Sequence, residues 1–152
     1  MRTNKPKPLS VLSLDIGSKK IGLAGCDPLG ITITRLDPLI RNIFEKDIEM
    51  LKMYCKKRKV KGLVVGIPLD DKGRSTKQSE QCQKYGKRIA IELSLPIAWV
   101  NEHSSSWAAA EQFKLHNNRN GDIDCAVACL LLEQWLREGP ELKPVPLAFQ
   151  SE

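Results

Sequence analysis

Three carboxylates in this sequence stand where an acid could take part in chemistry: Asp15, Glu102 and Asp124. The first two come just after short apolar runs, and the third lies in the first turn of an apolar helical segment. Each has an ordinary structural explanation, as a turn residue or as an acid that stabilises a helix N-terminus by about 0.3–1 kcal/mol. If the fold gathers them, their like charges call for a cation, and a divalent cation prefers oxygen ligands.

Carboxylates gathered in this way can carry out phosphodiester hydrolysis. Two divalent ions about 3.5–4 Å apart activate a water molecule and stabilise the leaving oxygen of a phosphodiester. The acid types and their positions therefore indicate a metal-dependent hydrolase, provided that the secondary structure elements bring them to one place.

Apolar runs, helical periodicity and turn residues predict the element order β-β-β-α-β-α-β-α-α. The predicted strands are Leu9–Leu14, Ile21–Cys26, Ile31–Leu36, Lys61–Pro68 and Pro96–Val100, and the predicted helices are Ile43–Arg58, Thr76–Leu93, Ser104–His116 and Asp122–Arg137. After the opening hairpins each strand is reached through a helix, so the later strands should be parallel. This order predicts an α/β fold, a mixed sheet with helices on both faces that binds ligands where its strands end.

Length and composition fit one globular domain. The 152 residues are predicted to form a flexible N-terminal tail (1–8), a single domain (9–138) and an irregular C-terminal tail (139–152). The net charge of +6 favours an anionic partner. The apolar runs are all shorter than the roughly 18 residues that a membrane span needs. The five cysteines are odd in number and have no Cys-x-x-Cys spacing, which favours a reducing compartment and argues against a zinc site. We therefore expect a cytoplasmic protein.

Four stretches resemble the motifs of the YqgF/RuvX-like proteins, small bacterial members of the RNase H-like nuclease superfamily that are related to Holliday junction resolvases. In chain order these stretches are LSLDIGSKKIGLAGCDPLG, VVGIPLDDKGRST, LPIAWVNEHSSSWAAAEQ and DIDCAVACLLLEQWL. They occur in the family's order and cover about Val11–Leu136, which is nearly the whole predicted domain.

The resemblance implies an RNase H-like fold: a five-stranded mixed sheet in the order 3-2-1-4-5, with strand 2 antiparallel. It also implies that Asp15, Glu102 and Asp124 are the catalytic acids, and we expect the same three to hold Mg²⁺ or Mn²⁺ as two ions. The family is associated with maturation of the 5′ end of pre-16S rRNA and sometimes with junction resolution. We therefore expect a nuclease that acts on RNA or branched DNA, is a monomer or weak homodimer, and meets ribosomal small-subunit precursors.

Basic residues near the acids are the expected contacts to the nucleic-acid backbone: Lys19 and Lys20 in the hairpin, His103, and Arg119 in the loop before the last helix. One motif departs from the family. Where the family usually has Asp-Glu-Arg, this chain has Asn101-Glu102-His103, which removes a guanidinium that imidazole cannot replace in kind. A weakened or altered activity is one consequence to expect.

Three alternatives stay open on the residues alone. The chain could resolve Holliday junctions in branched DNA, or bind RNA or the ribosome without catalysis, as the altered Asn101-Glu102-His103 motif suggests. A sugar-kinase or actin-like ATPase also has a strand, Asp-x-Gly, strand hairpin. Such ATPases need two domains to enclose a nucleotide, whereas 152 residues supply one.

Overall fold

The computed structural model describes residues 9–70, 72–101 and 122–145, with the side chains of 122–125 left out of the description. The predicted helix Ser104–His116 lies outside the described residues. The strands are β1 (Val11–Ile16), β2 (Lys20–Cys26), β3 (Ile33–Arg35), β4 (Leu39–Ile40), β5 (Gly62–Ile67) and β6 (Ile97–Asn101), and the helices are α1 (Phe44–Arg58), α2 (Lys77–Leu93) and α3 (Asp122–Glu138).

The strands form one mixed sheet in the order β3-β2-β1-β5-β6, with β4 paired to β2. Strand β1 is antiparallel to β2 and parallel to β5, which in turn is parallel to β6. With β4 left out of the numbering, this is the predicted order 3-2-1-4-5, and the antiparallel second strand is confirmed. The parallel strands reached through α1 and α2 therefore end at the same edge of the sheet.

The described residues contain six strands where five were predicted, and the added strand is β4. It has two residues, of which Leu39 is buried and Ile40 is exposed, and it pairs with the start of β2. Two residues are too few to show a strand period in the sequence. Strand β3 is correspondingly shorter than predicted, because the Asp27 carboxylate accepts hydrogen bonds of 2.7 Å from the N–H groups of both Ile31 and Thr32 and draws them into the preceding turn.

Alternation along the strands sends side chains into two separate layers of core. One layer lies between the sheet and helices α1 and α2, and includes Leu12, Leu14 and Val65 from the strands. The other lies under α3, and includes Val11, Val64 and the fully buried Trp135. Strand β5 is buried along its whole length, as its continuous apolar run predicts.

Helix boundaries follow local hydrogen bonding. Thr76 caps α2: its hydroxyl accepts from the N–H of Ser79 at 3.1 Å, and the Ser79 hydroxyl accepts from the N–H of Thr76 at 2.7 Å. This reciprocal pair satisfies two N–H groups and confirms the predicted start of the helix. At the other ends, Lys59 and Ser94 adopt left-handed backbone conformations, with φ of 53° and 55°, that stop α1 and α2.

The chain after α3 turns back along β6. Ile97 and Lys143 exchange two backbone hydrogen bonds of 2.9 Å each, and the indole N–H of Trp135 donates to the carbonyl of Pro140 at 2.6 Å. The part of the predicted C-terminal tail that the structure describes, 139–145, therefore covers the outer edge of the sheet. Of the helices in the described residues, none has the length and apolar character to cross a membrane.

Candidate active site

Asp15 lies within β1, one residue before the strand ends, whereas the apolar run predicted that the strand stops at Leu14. The strand continues because its pairing with β2 extends through Asp15↔Gly22 to Ile16↔Ile21. The side chain of Asp15 is half-buried and lies on the face of the sheet that α3 covers, since it is two residues from Ser13, which contacts that helix. The carboxylate thus stands on the central strand, at the edge where the parallel strands end.

A tight turn joins β1 to β2 directly after this acid. The N–H of Gly17 donates to the carbonyl of Lys20 at 2.9 Å, and a Cβ on Gly17 would lie only 2.9 Å from that same oxygen. Only a glycine fits this approach without a shift of the backbone. The turn leaves Lys19 exposed to solvent and Lys20 half-buried at the start of β2. Both predicted cations therefore lie within a few residues of the acid, at the same edge.

Asp124 is the third residue of α3, and the helix is anchored across the sheet by contacts that begin one turn later. The hydroxyl of Ser13 donates to the carbonyl of Ala128 at 2.8 Å. Further along, Leu131 packs over Gly66 in β5, and the side-chain amide of Gln134 donates to the carbonyl of Asn101 at 3.0 Å. The structure thus brings the helix that carries Asp124 onto the strand that carries Asp15.

The remaining predicted site residues, Glu102, His103 and Arg119, lie outside the described residues, as does the side chain of Asp124. Glu102 directly follows β6, whose last residue Asn101 pairs with Ile67 at the end of β5. In the pairing of β1 with β5, Leu14 stands opposite Val65, so the end of β1 lies level with the end of β5. Asn101, the residue before Glu102 in the sequence, therefore lies at the sheet edge where Asp15 lies.

The predicted metal ligands are chemically suited to Mg²⁺ or Mn²⁺, because all three are carboxylates and these hard cations prefer oxygen. Asp15 is the member of this set whose side chain the structure describes. Among the side chains described, no group of three acids, histidines and cysteines is close enough to hold an ion. The three-carboxylate metal site therefore stays a prediction.

A cleft of about 440 Å³ opens beside the end of β1, on the α2 side of the sheet. Its walls come from the turn after Asp15, from the segment between β4 and α1, and from one face of α2. The lining residues that carry charge or hydrogen-bonding groups are Ser18, Arg41, Gln78, Gln81, Lys84, Tyr85 and Arg88. The sequence predictions did not assign any of these residues to a site, although the spacing of Lys84 and Arg88 on one helix face was a signal.

A buried carboxylate supports the wall of this cleft. Asp47 is almost fully buried and accepts hydrogen bonds of 2.9 Å from the backbone N–H of Asn42 and from the Tyr85 hydroxyl. Burial, together with the hydrogen bond to Asp47, raises the pKa of Tyr85 to about 12. The Tyr85 ring in turn meets the Phe44 ring edge-on, with centroids 5.8 Å apart. This contact fastens α1 to α2 behind the cleft.

Comparison with known protein families identifies relatives over almost the whole chain. The family model described as "RuvX: Holliday junction resolvase" matches residues 9–138. A protein of Prochlorococcus marinus, named "Putative pre-16S rRNA nuclease", is 62% identical over 141 residues, which are 93% of this chain and 92% of that protein. A protein of the same name from Parasynechococcus marenigrum (strain WH8102) is 59% identical over 140 residues, 92% of this chain and 89% of that protein.

Solved structures with the same fold include RuvC of Thermus thermophilus. The structure of that protein in complex with a Holliday junction substrate superposes with a TM-score of 0.59 at 14% identity, over 90% of this chain and 99% of that chain. A second RuvC structure from Thermus thermophilus gives a TM-score of 0.55 at 11% identity. At such identities the likeness shows the fold alone, and it confirms the RNase H-like architecture that the motifs predicted.

Proposed function

This chain belongs to the RuvX family, and from that membership we propose that it is a metal-dependent nuclease that hydrolyses phosphodiester bonds in pre-16S rRNA during maturation of its 5′ end. We infer the substrate from the names of the relatives, which are called pre-16S rRNA nucleases. These relatives are about three-fifths identical to this chain over more than nine-tenths of its length. The observation in the structure that supports the chemistry most directly is the half-buried carboxylate of Asp15 on the central strand.

In this proposal Asp15, Glu102 and Asp124 hold two Mg²⁺ or Mn²⁺ ions and are the catalytic acids. When bound, such ions lower the pKa of an attacking water and stabilise charge on the leaving oxygen. Asp15 is suited to its part because its strand is hydrogen-bonded on both sides, to β2 and β5, so the backbone that carries the carboxylate is rigid. The anchoring of α3 through Ser13 and Ala128 supports the same role for the helix of Asp124.

The basic residues supply the contacts to the substrate backbone. Lys19 is exposed in the turn next to Asp15, and its charge stands on a flexible stem that can reach a phosphate. Lys20, His103 and Arg119 are proposed as further contacts. His103 can bind phosphate when its imidazole carries a proton.

We place this activity in the cytoplasm, in a monomer or weak homodimer that meets precursors of the small ribosomal subunit. The thiols of Cys26 and Cys55 are free in the structure, and such thiols are typical of a reducing compartment. The exposed side chain of Lys19 is suited to an RNA-rich partner.

The test compares the wild-type protein with Asp15→Asn on a precursor rRNA substrate in the presence of Mg²⁺ or Mn²⁺. Asparagine keeps the size of the side chain but removes the negative charge that binds the cation. We expect cleavage to fall by at least about 100-fold, which corresponds to about 2.7 kcal/mol of transition-state stabilisation. The control is Glu49→Gln, which neutralises an exposed carboxylate on α1, and it should cleave like the wild type.

A four-way DNA junction assayed in parallel tests the second candidate, junction resolution, which is favoured by the description of the family model. If the protein cleaves the junction in preference to the precursor RNA, its substrate is branched DNA and not RNA. If wild type binds RNA and cleaves neither substrate, the protein is a binding factor, as the Asn101-Glu102-His103 departure would explain. Full cleavage by Asp15→Asn would disprove the catalytic role of this acid.

A further inference from the structure

The cleft beside the end of β1 contains three cations from two distant parts of the chain. Lys84 and Arg88 are one turn apart on α2 and both are exposed, and Arg41 comes from the segment before α1. The side chains of Gln78, Gln81 and Ser18 add hydrogen-bonding groups around them. The lining of this cleft is thus cationic and polar, with no carboxylate among the described residues that form it.

The three cations have no ion-pair partner among the residues that the structure describes. Ion pairs among the described residues include Arg74 with Asp70 and Arg137 with Glu138, and these residues do not line the cleft. Glu80 and Glu92 stand four residues from Lys84 and from Arg88 along α2, but neither is among the described residues that line the cleft. The positive charge that faces the cleft is therefore available to a bound anion.

Arg41 is held in place from two sides. Its guanidinium donates a hydrogen bond of 2.7 Å to the carbonyl of Gly17 and lies 4.2 Å from the centroid of the Tyr85 ring. Tyr85 is itself fixed by the buried carboxylate of Asp47. A guanidinium has five N–H donors, so the bond to Gly17 leaves donors for an anion. The result is a preorganised arginine at the very turn that follows Asp15.

Arg88 is positioned in a similar way, with its guanidinium 3.8 Å from the centroid of the Phe44 ring. Positively charged grooves follow the backbone of single-stranded nucleic acids, and cation–π contacts of arginine contribute to such sites. The volume of the cleft, about 440 Å³, suits one small ligand or a short piece of a strand and is too small for a duplex.

We propose that this cleft binds the backbone phosphates of a single-stranded RNA segment next to the bond that is cleaved, through Arg41, Lys84 and Arg88. The inference rests on the proposed nuclease function and adds a second binding site to it. Asp15 faces α3 and the cleft lies on the α2 side, with the turn at Gly17 between them. A strand that passes over this turn would reach the acid with one part and the cleft with the next.

The test measures binding of a single-stranded RNA oligonucleotide to the full chain in EDTA, where cleavage cannot occur, at several salt concentrations. Each phosphate contact adds about 0.7 to the negative slope of log K against log salt for a single strand. Lys84→Gln and Arg88→Gln should therefore each reduce the magnitude of the negative slope by about 0.7, and the double variant should reduce it by about 1.4. Lys84→Arg should keep the wild-type slope.

The control is Lys57→Gln, an exposed lysine near the end of α1, where the neighbouring Arg58 carbonyl accepts a hydrogen bond from Ser10 just before β1 begins, at the end of β1 away from the cleft. It removes the same charge and should leave the slope unchanged. Arg88 also contacts Phe44, so a thermal unfolding curve accompanies Arg88→Gln. Lys84→Gln has no such contact among the described residues and keeps the test valid if Arg88→Gln is destabilised.

Wild-type slopes in both Lys84→Gln and Arg88→Gln, or an equal decrease in Lys57→Gln, would overturn the assignment of the cleft. Cleavage is measured separately on the same proteins with Mg²⁺. If the wild type cleaves RNA and the cleft variants have the wild-type salt slope, RNA binding by the cleft is disproved and the nuclease proposal stands. If the variants lower the slope but the wild type cleaves nothing, the nuclease proposal fails and the cleft is supported as an RNA-binding site.

Discussion

The hydroxyl of Ser13 donates a hydrogen bond of 2.8 Å to the carbonyl of Ala128, and both residues are fully buried. The bond joins the central strand to the helix that crosses it. Ser13 stands two residues before Asp15 on the same face, and Ala128 follows Asp124 by one helical turn. A single buried hydrogen bond thus lies close to both acids and connects the elements that carry them.

We expect Ser13→Ala to lower the free energy of unfolding by about 1 kcal/mol, the usual net value of one intramolecular hydrogen bond. Urea denaturation of the wild-type and variant proteins measures this difference. Ser75→Ala, which truncates an exposed serine before α2, is the control and should change the stability little. A variant as stable as the wild type would show that the bond contributes nothing to anchoring α3.

Gly66→Ala should destabilise the protein by about 1–3 kcal/mol, because it overpacks the core under α3. A Cβ at this position would lie 2.8 Å from each of the two terminal methyl carbons of Leu131, which is fully buried and cannot swing into solvent. Adding Leu131→Ala tests the cause by a double-mutant cycle in urea. The double variant should lose less stability than the sum of the two single losses, and strict additivity would contradict the proposed clash.

Tyr85→Phe should lower the unfolding free energy near neutral pH by about 1.5–3 kcal/mol, since it removes a hydrogen bond to the buried carboxylate of Asp47. It should also change the response to alkali. The pKa of Tyr85 is raised to about 12 in the folded protein, from an ordinary value near 10 in the unfolded chain. The protonated hydroxyl therefore contributes stability below pH 10 that is lost as the pH rises towards 12.

The alkaline effect is measured by urea denaturation of both proteins from pH 9 to pH 12. The gap in stability between wild type and Tyr85→Phe should narrow as the pH passes through this range, because the wild type alone loses the tyrosine contribution. A gap that stays constant would mean that Tyr85 titrates normally and that its bond to Asp47 is weak in solution.

If the acids bind a metal ion, the ion should change the thermal stability of the protein whether or not the protein is catalytically active. A ligand that binds only the folded protein stabilises it by about 2.7 kcal/mol at 100 times its dissociation constant. Mn²⁺ should therefore raise the unfolding temperature of the wild type, and EDTA should reverse the rise and abolish cleavage. Asp15→Asn should show no such rise, and an equal rise in both proteins would place the ion elsewhere.

The strand pattern and much of the helix pattern could be predicted, because they depend on neighbours in the sequence. The continuous apolar run of β5 predicted a strand buried on both faces, and the predicted helix start at Thr76 matches the observed cap of α2. The length of β3 could not be predicted, because the Asp27 carboxylate holds the N–H groups of Ile31 and Thr32, and this choice between turn and strand depends on geometry.

The sequence by itself determined the order of the described elements other than β4, the acid on the central strand and the family, since short motifs and local periodicity contain that information. The tertiary structure alone decided which face of β1 Asp15 occupies and which cations lie next to it. Gly17, Arg41 and Arg88 come from three separate segments, and they meet in one cleft because α1 and α2 pack on the same face of the sheet. Sequence spacing cannot predict such a meeting, because it arises when distant apolar faces bury each other.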